Sequence, residues 1–232
     1  MCTLIVKTGW PLTLLFVRDE YADRPWEGPG EHWPERYPGV IGGRDLKAGG
    51  TWLAVHPAAR RAAALLNGCG SMAPEATRVS RGDLALRAAA AGTLPGDPPR
   101  EDVPPEVSLA EADLTAYDPF YLLLAEPPGA RLAGWDGERL TVTRVPDGVN
   151  MVVSAAGLDP THPRVVANLP RFRAGDWRVP GEEAHSADPE SLLVRHETPE
   201  GKILTSLSAM RVTLAEDDVT YDFTDLTAER DR

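Results

Sequence analysis

The chain has 232 residues, 42% hydrophobic and 25% charged, which is the balance of an ordinary globular protein whose chain mostly folds. Its net charge of −11, with no basic stripe bearing interleaved aromatics, excludes a nucleic-acid partner. It has no run of 18 apolar residues to span a membrane and no secretory leader pattern, and its two cysteines, Cys2 and Cys69, fit a reducing cytoplasm rather than a disulfide framework.

Residues 3–7 and 11–17 are rich in aliphatic and β-branched side chains and are split by Gly9-Trp10-Pro11. They read as two buried strands joined by a short turn. A charged, aromatic and proline-rich loop follows over 21–38, long enough to be a functional loop or lid. Gly49-Gly50 permits a turn into a strand over 51–55. Residues 61–67 have helical propensity, but Pro57 and a short polar tip favour a hairpin from 51–55 into a second strand. Ser80 is placed to cap a helix over 84–91 that Gly92 closes.

Residues 95–108 carry five prolines and read as a loop. The segments 120–125, 131–135 and 140–144 form a predicted meander, with Asp136-Gly137 as its second turn. Another strand is expected at 149–153, and helices over 162–169, ahead of Pro170, and over 189–195. Residues 202–214 and 219–223 close the chain as a hairpin. Strands at both ends with helices between them predict an α+β fold. With no internal repeat or boundary, residues 1–232 read as a single domain.

Removal of Met1 would give Cys2 a free α-amine, joining a nucleophile to a base that titrates near neutrality. The bland alternative for Cys2 is a small residue opening a buried strand. If the first two strands pair, Arg18, Asp19 and Glu20 end beside Cys2. Arg18 would then lower the thiol pKa and Asp19 would hold the α-ammonium; otherwise the three are solvated strand-end charges. Asn67 could donate to an oxyanion or simply occupy a turn. Trp26 and Trp33 are pocket candidates with Glu20, whereas Trp52 belongs to the core. The histidines His32, His56, His162, His185 and His196 show no ligand spacing, so no metal site is expected.

Taken together, Met1-Cys2-Thr3, Arg18-Asp19-Glu20 with Arg24-Pro25, Gly43-Arg44-Asp45-Leu46, Gly49-Gly50-Thr51-Trp52-Leu53-Ala54-Val55 and Asn67 resemble the NRDE family, also called the transport and Golgi organisation protein 2 family. The resemblance implies an N-terminal-nucleophile hydrolase-like fold, a four-layer αββα sandwich of mostly antiparallel sheets. It makes Cys2 the expected nucleophile, with Arg18, Asp19 and Asn67 as its partners. The chain departs from the family pattern at Val17, at Ser154 and at Ser206, where an arginine is lost and Arg211 is the nearby replacement. The implied activity is an amidohydrolase acting on a non-peptide C–N bond of a small molecule, without a cofactor. The alternative is a carrier of the same fold for haem or another apolar metabolite, with Cys2 or His32 as axial ligand. Oligomeric state is open.

Overall fold

A computed structural model describes residues 2–181 and 184–227. β1 (Thr3–Lys7) and β2 (Leu12–Tyr21) form the expected hairpin, with Thr3 opposite Val17 and Lys7 opposite Thr13. They sit in one antiparallel sheet with β10 (Val149–Val153) beside β1 and β12 (Ile203–Leu214) beside β2. β12 also carries β11 (Arg195–Glu197) and β13 (Val219–Asp225) at its two ends. The second sheet runs in chain order through β3 (Trp26–Gly30), β4 (Ile41–Asp45), β5 (Leu53–His56), β6 (Arg61–Asn67), β7 (Phe120–Glu126), β8 (Gly129–Trp135) and β9 (Leu140–Arg144).

Strand alternation sends successive side chains to opposite faces. Leu4, Val6, Leu12, Leu14 and Phe16 therefore meet Leu53, Val55, Leu66 and Leu123 between the sheets. Ile5, Leu15 and Val17 face the other way, against Val165, Leu169 and Phe172 of α2 (Pro163–Arg173). α1 (Gly82–Ala91) covers the outer face of the second sheet, where Leu84, Ala85 and Ala88 meet Ala54, Ala63, Leu122 and Leu124. The layers are helix, sheet, sheet, helix, as the resemblance implied. The alanines of β6 explain why helical propensity lost: pairing with β5 and β7 fixes the strand, and small side chains admit α1 closely.

Four expectations are corrected. The 21–38 loop contains β3, paired with β4. Arg81, not Ser80, occupies the cap position of α1, although the Ser80 hydroxyl accepts from the Gly82 N–H at 3.3 Å. α2 runs past Pro170 to Arg173, held by burial of Leu169 and Phe172. No helix forms over 189–195, because Arg164 takes the Ser191 and Leu192 carbonyls and Ser206 Oγ takes the Val194 N–H. Among the described residues no helix is long and apolar enough to cross a membrane.

Candidate active site

The β1–β2 register places Cys2 opposite Arg18, one step beyond the Thr3–Val17 pair. Directly opposed residues on one face have Cβ atoms about 5 Å apart, so the hairpin alone brings the thiol and guanidinium together. Cys2 is half-buried, and its thiol donates to the Asp19 backbone carbonyl at 3.7 Å. Burial pushes the Cys2 thiol above its ordinary pKa, with Arg18 opposing the shift only weakly.

Arg18 is 2% exposed. Its guanidinium lies 4.1 Å above the Trp52 ring and 5.9 Å from the Trp26 ring, a stacking geometry that suits a weakly hydrated planar cation. Asp45 stands 3.9 Å from Nη2, while Nη1 has no hydrogen-bond partner among the described residues. Asp45 is bound more tightly to Arg24, at 2.9 Å, and its other oxygen caps the N–H groups of Lys47 and Ala48. It thereby shapes the turn that leads to Gly50.

Asp19 points the other way, through the sheet toward α2. Its oxygens bind Arg164 Nη1 at 2.9 Å and the Ser206 hydroxyl at 2.6 Å. Burial raises its pKa, and Arg164 and Ser206 oppose that rise. The Cys2 backbone N–H donates to Ser154 Oγ at 2.9 Å. Ser154 opens a turn after β10 whose next residue, Ala155, has a positive φ of 66°. The Ser154 N–H binds the Cys2 carbonyl and the Ala155 N–H binds the Asn67 carbonyl. One strained turn thus ties β1 of the first sheet to β6 of the second at the thiol.

A cavity of about 200 Å³ opens over Cys2. Arg18, Asp19, Glu20, Asn67 and Arg81 line it with Cys2, so five of the seven expected residues, counting Cys2, share one site. Asn67 is an exposed side chain at its rim. Trp26 is outside the lining, wedged between Trp52 and Phe223. Trp33 lines a neighbouring cavity. His32 is outside the Cys2 cavity too, with Nε2 bonded to the Gly28 carbonyl at 2.8 Å.

Arg211 does not replace the lost arginine, since it pairs with Asp222 on the exposed β12–β13 face. Arg164 escaped sequence reasoning, and Ser154, Asp45 and Arg81 were given no role in the site. Arg164 shares a helix face with Asn168, and a buried polar pair among apolar positions was its one signal. Asp45 and Arg24 carried a weaker one, as opposite charges within the motifs that carry the family resemblance.

The profile of the family described as Transport and Golgi organisation 2 matches residues 1–174. No curated protein matches the chain. Among solved structures, the fold is similar to that of the conjugated bile acid hydrolase from Clostridium perfringens, determined as its C2A mutant, with a TM-score of 0.52 and 13% identity over 99% of this chain and 94% of that one. That likeness makes the architecture an N-terminal-nucleophile hydrolase fold, and the profile match places this chain in the Transport and Golgi organisation 2 family.

Proposed function

We propose that the protein is an N-terminal-cysteine amidohydrolase that cleaves a linear amide or lactam C–N bond in a small molecule. The carrying observation is Cys2 set against Arg18 on the floor of a cavity that Asn67 also lines. The similar fold of a bile acid hydrolase supports the reaction class.

The reading requires Met1 to be removed, because a peptide nitrogen cannot act as a base. The freed α-amine keeps the position beside Ser154 Oγ, which orients it as a base's hydrogen-bond partner does in other nucleophile–base pairs. The amine takes the thiol proton as sulfur attacks the substrate carbonyl. The S–C bond forms, and negative charge moves to the carbonyl oxygen, which the Asn67 amide would stabilise. Collapse breaks the C–N bond, the α-ammonium returns the proton to the leaving nitrogen, and water then hydrolyses the thioester to regenerate Cys2. A buried cationic donor without a partner is costly, so Arg18 Nη1 favours a substrate acceptor close to the thiol.

The test begins with intact mass and brief substoichiometric iodoacetamide treatment near pH 6.5. Loss of Met1 and faster alkylation at Cys2 than at exposed Cys69 are expected. An extra residue ahead of Cys2 should remove that advantage. Amide and lactam substrates screened for amine release should be turned over by the processed protein and by neither Cys2→Ala nor Cys2→Ser. Turnover that survives Cys2→Ala overturns the reading.

A further inference from the structure

A second cavity, of about 330 Å³, lies beside the first. The two share the wall residues Ala48, Gly50 and Ser80. All three are small, and Ala48 and Ser80 are exposed, so no bulky side chain stands on the rim between the cavities. The first cavity is lined by arginines and carboxylates around the thiol. The second has a different character, with Trp33, Val79, Leu86 and Tyr117 as its apolar walls.

Its polar groups are already committed. The Trp33 indole N–H donates to the Gly49 carbonyl at 2.8 Å, which fixes the ring against the 45–50 turn. Arg36 and Asp83 neutralise each other at 3.2 Å, and Asp83 also accepts from the buried Tyr37 hydroxyl at 2.7 Å. What remains available is ring surface and aliphatic surface. Val79 is 46% exposed although its backbone is pinned by a bridge to Tyr117 and an N–H bond to the Ala116 carbonyl. A solvent-facing valine with a tethered backbone, lining a cavity together with two aromatic residues, is a surface that gains by being covered.

We propose that this second cavity is the subsite for an uncharged, planar apolar substituent of the same substrate whose C–N bond lies over Cys2. The substrate is then amphipathic, with a polar acyl-amide end against Arg18 and an aromatic or fused-ring end between Trp33 and Val79. The identification of the two ends as one molecule rests on the hydrolase reading, whereas the affinity of the second cavity for a planar apolar group does not.

Two measurements separate these. In a Cys69→Ser background, Cys2 is alkylated with N-methyl chloroacetamide and with N-(1-naphthylmethyl) chloroacetamide. In each case the thiol sulfur displaces chloride, a C–S bond replaces the C–Cl bond, and the thiol proton passes to the α-amine or to buffer. The naphthylmethyl reagent should react about tenfold faster at low concentration, the ratio a modest apolar contact supplies. Val79→Glu, which puts charge in the subsite, and Ala48→Phe, which blocks the rim, should each bring the ratio close to one.

Independently, the unreactive N-(1-naphthylmethyl)acetamide should bind saturably by calorimetry. Val79→Glu should weaken that binding roughly fivefold or more, with the circular dichroism of the variant confirming its fold. Equal alkylation rates for the two reagents at a reactive Cys2, or no saturable binding, overturns the inference. Val79-dependent binding to a protein whose Cys2 reacts with neither reagent upholds the subsite and overturns the hydrolase reading.

Discussion

Arg164 and Asp19 are the clearest case of a residue pair whose role depends on burial. The side chains are 2% and 0% exposed, and the Arg164 guanidinium spends its remaining donors on the Ser191 and Leu192 carbonyls. Removing one member of such a pair leaves an uncompensated buried charge, which costs about 3–5 kcal/mol. Arg164→Met is expected to lose stability on that scale in urea unfolding at pH 7, and Asp19→Asn in the same background should recover part of it. The pH dependence has a definite sign. Burial raises the Asp19 pKa in the folded chain, and without Arg164 it rises further. The folded state then binds a proton that the unfolded state has released, so stability falls as pH rises from the ordinary carboxylate range to the raised value, and is level above it. The Arg164→Met deficit should therefore shrink on acidification. A deficit independent of pH would mean that lost packing, not the stranded carboxylate, sets the cost.

At the scale of elements, the cavity wall depends on how closely α1 approaches the turn before β5. Gly50 and Gly82 touch: a Cβ on Gly50 would lie 2.4 Å from the Gly82 carbonyl carbon and 2.6 Å from its Cα. Backbone cannot yield as a flexible side chain does, and the Thr51 N–H is bonded to the Gly82 carbonyl at 3.1 Å across the same contact. Gly50→Ala should displace the start of α1, costing about 1–3 kcal/mol as an overpacked contact does, and should move Arg81 off the cavity wall. Urea unfolding checks the first expectation, and a changed Cys2 alkylation rate the second. A variant as stable as the wild type would show the contact to be loose. Much of this level was legible in the sequence. The aliphatic runs 3–7 and 11–17, split by Gly9-Trp10-Pro11, specified the hairpin, and with it the Cys2–Arg18 juxtaposition. The turn at Asp136-Gly137 was equally local. What escaped were the elements set by distant partners. The strand at 26–30 exists because β4 pairs with it, and the segment at 189–195 is unwound by Arg164 and Ser206. The buried partner of the Asp19 carboxylate escaped for the same reason, since Arg164 lies 145 residues away.

For the molecule as a whole, the site exists only while the two sheets stay docked. Cys2 and Arg18 belong to one sheet, whereas Asp45, Trp52 and Asn67 belong to the other or to its connections. Trp52 is one of the residues that join them. It is 7% exposed, its ring stacks beneath Arg18, and its indole N–H donates to Met210 Sδ on β12 at 3.1 Å. The expectation that it belongs to the core is right, and the core position is also what holds Arg18 flat against the cavity floor. Met210→Leu keeps side-chain volume nearly constant, and such swaps ordinarily cost less than about 1.5 kcal/mol. Here the swap also strands a buried donor between the sheets, which adds about 1–3 kcal/mol. We therefore expect urea unfolding to show a loss at or above the usual range, together with a lower rate of Cys2 alkylation as Arg18 loses its support. Trp52→Phe removes the donor, so in that background the Met210→Leu cost should fall to that of an ordinary volume-conserving swap. The difference between the two costs isolates the sulfur contact from the packing change that each substitution brings. Additive costs would mean that apolar burial alone docks the sheets. A coupling of about 1 kcal/mol or more, accompanied by slower alkylation, would mean that the bond holding the sandwich together also holds its arginine in place.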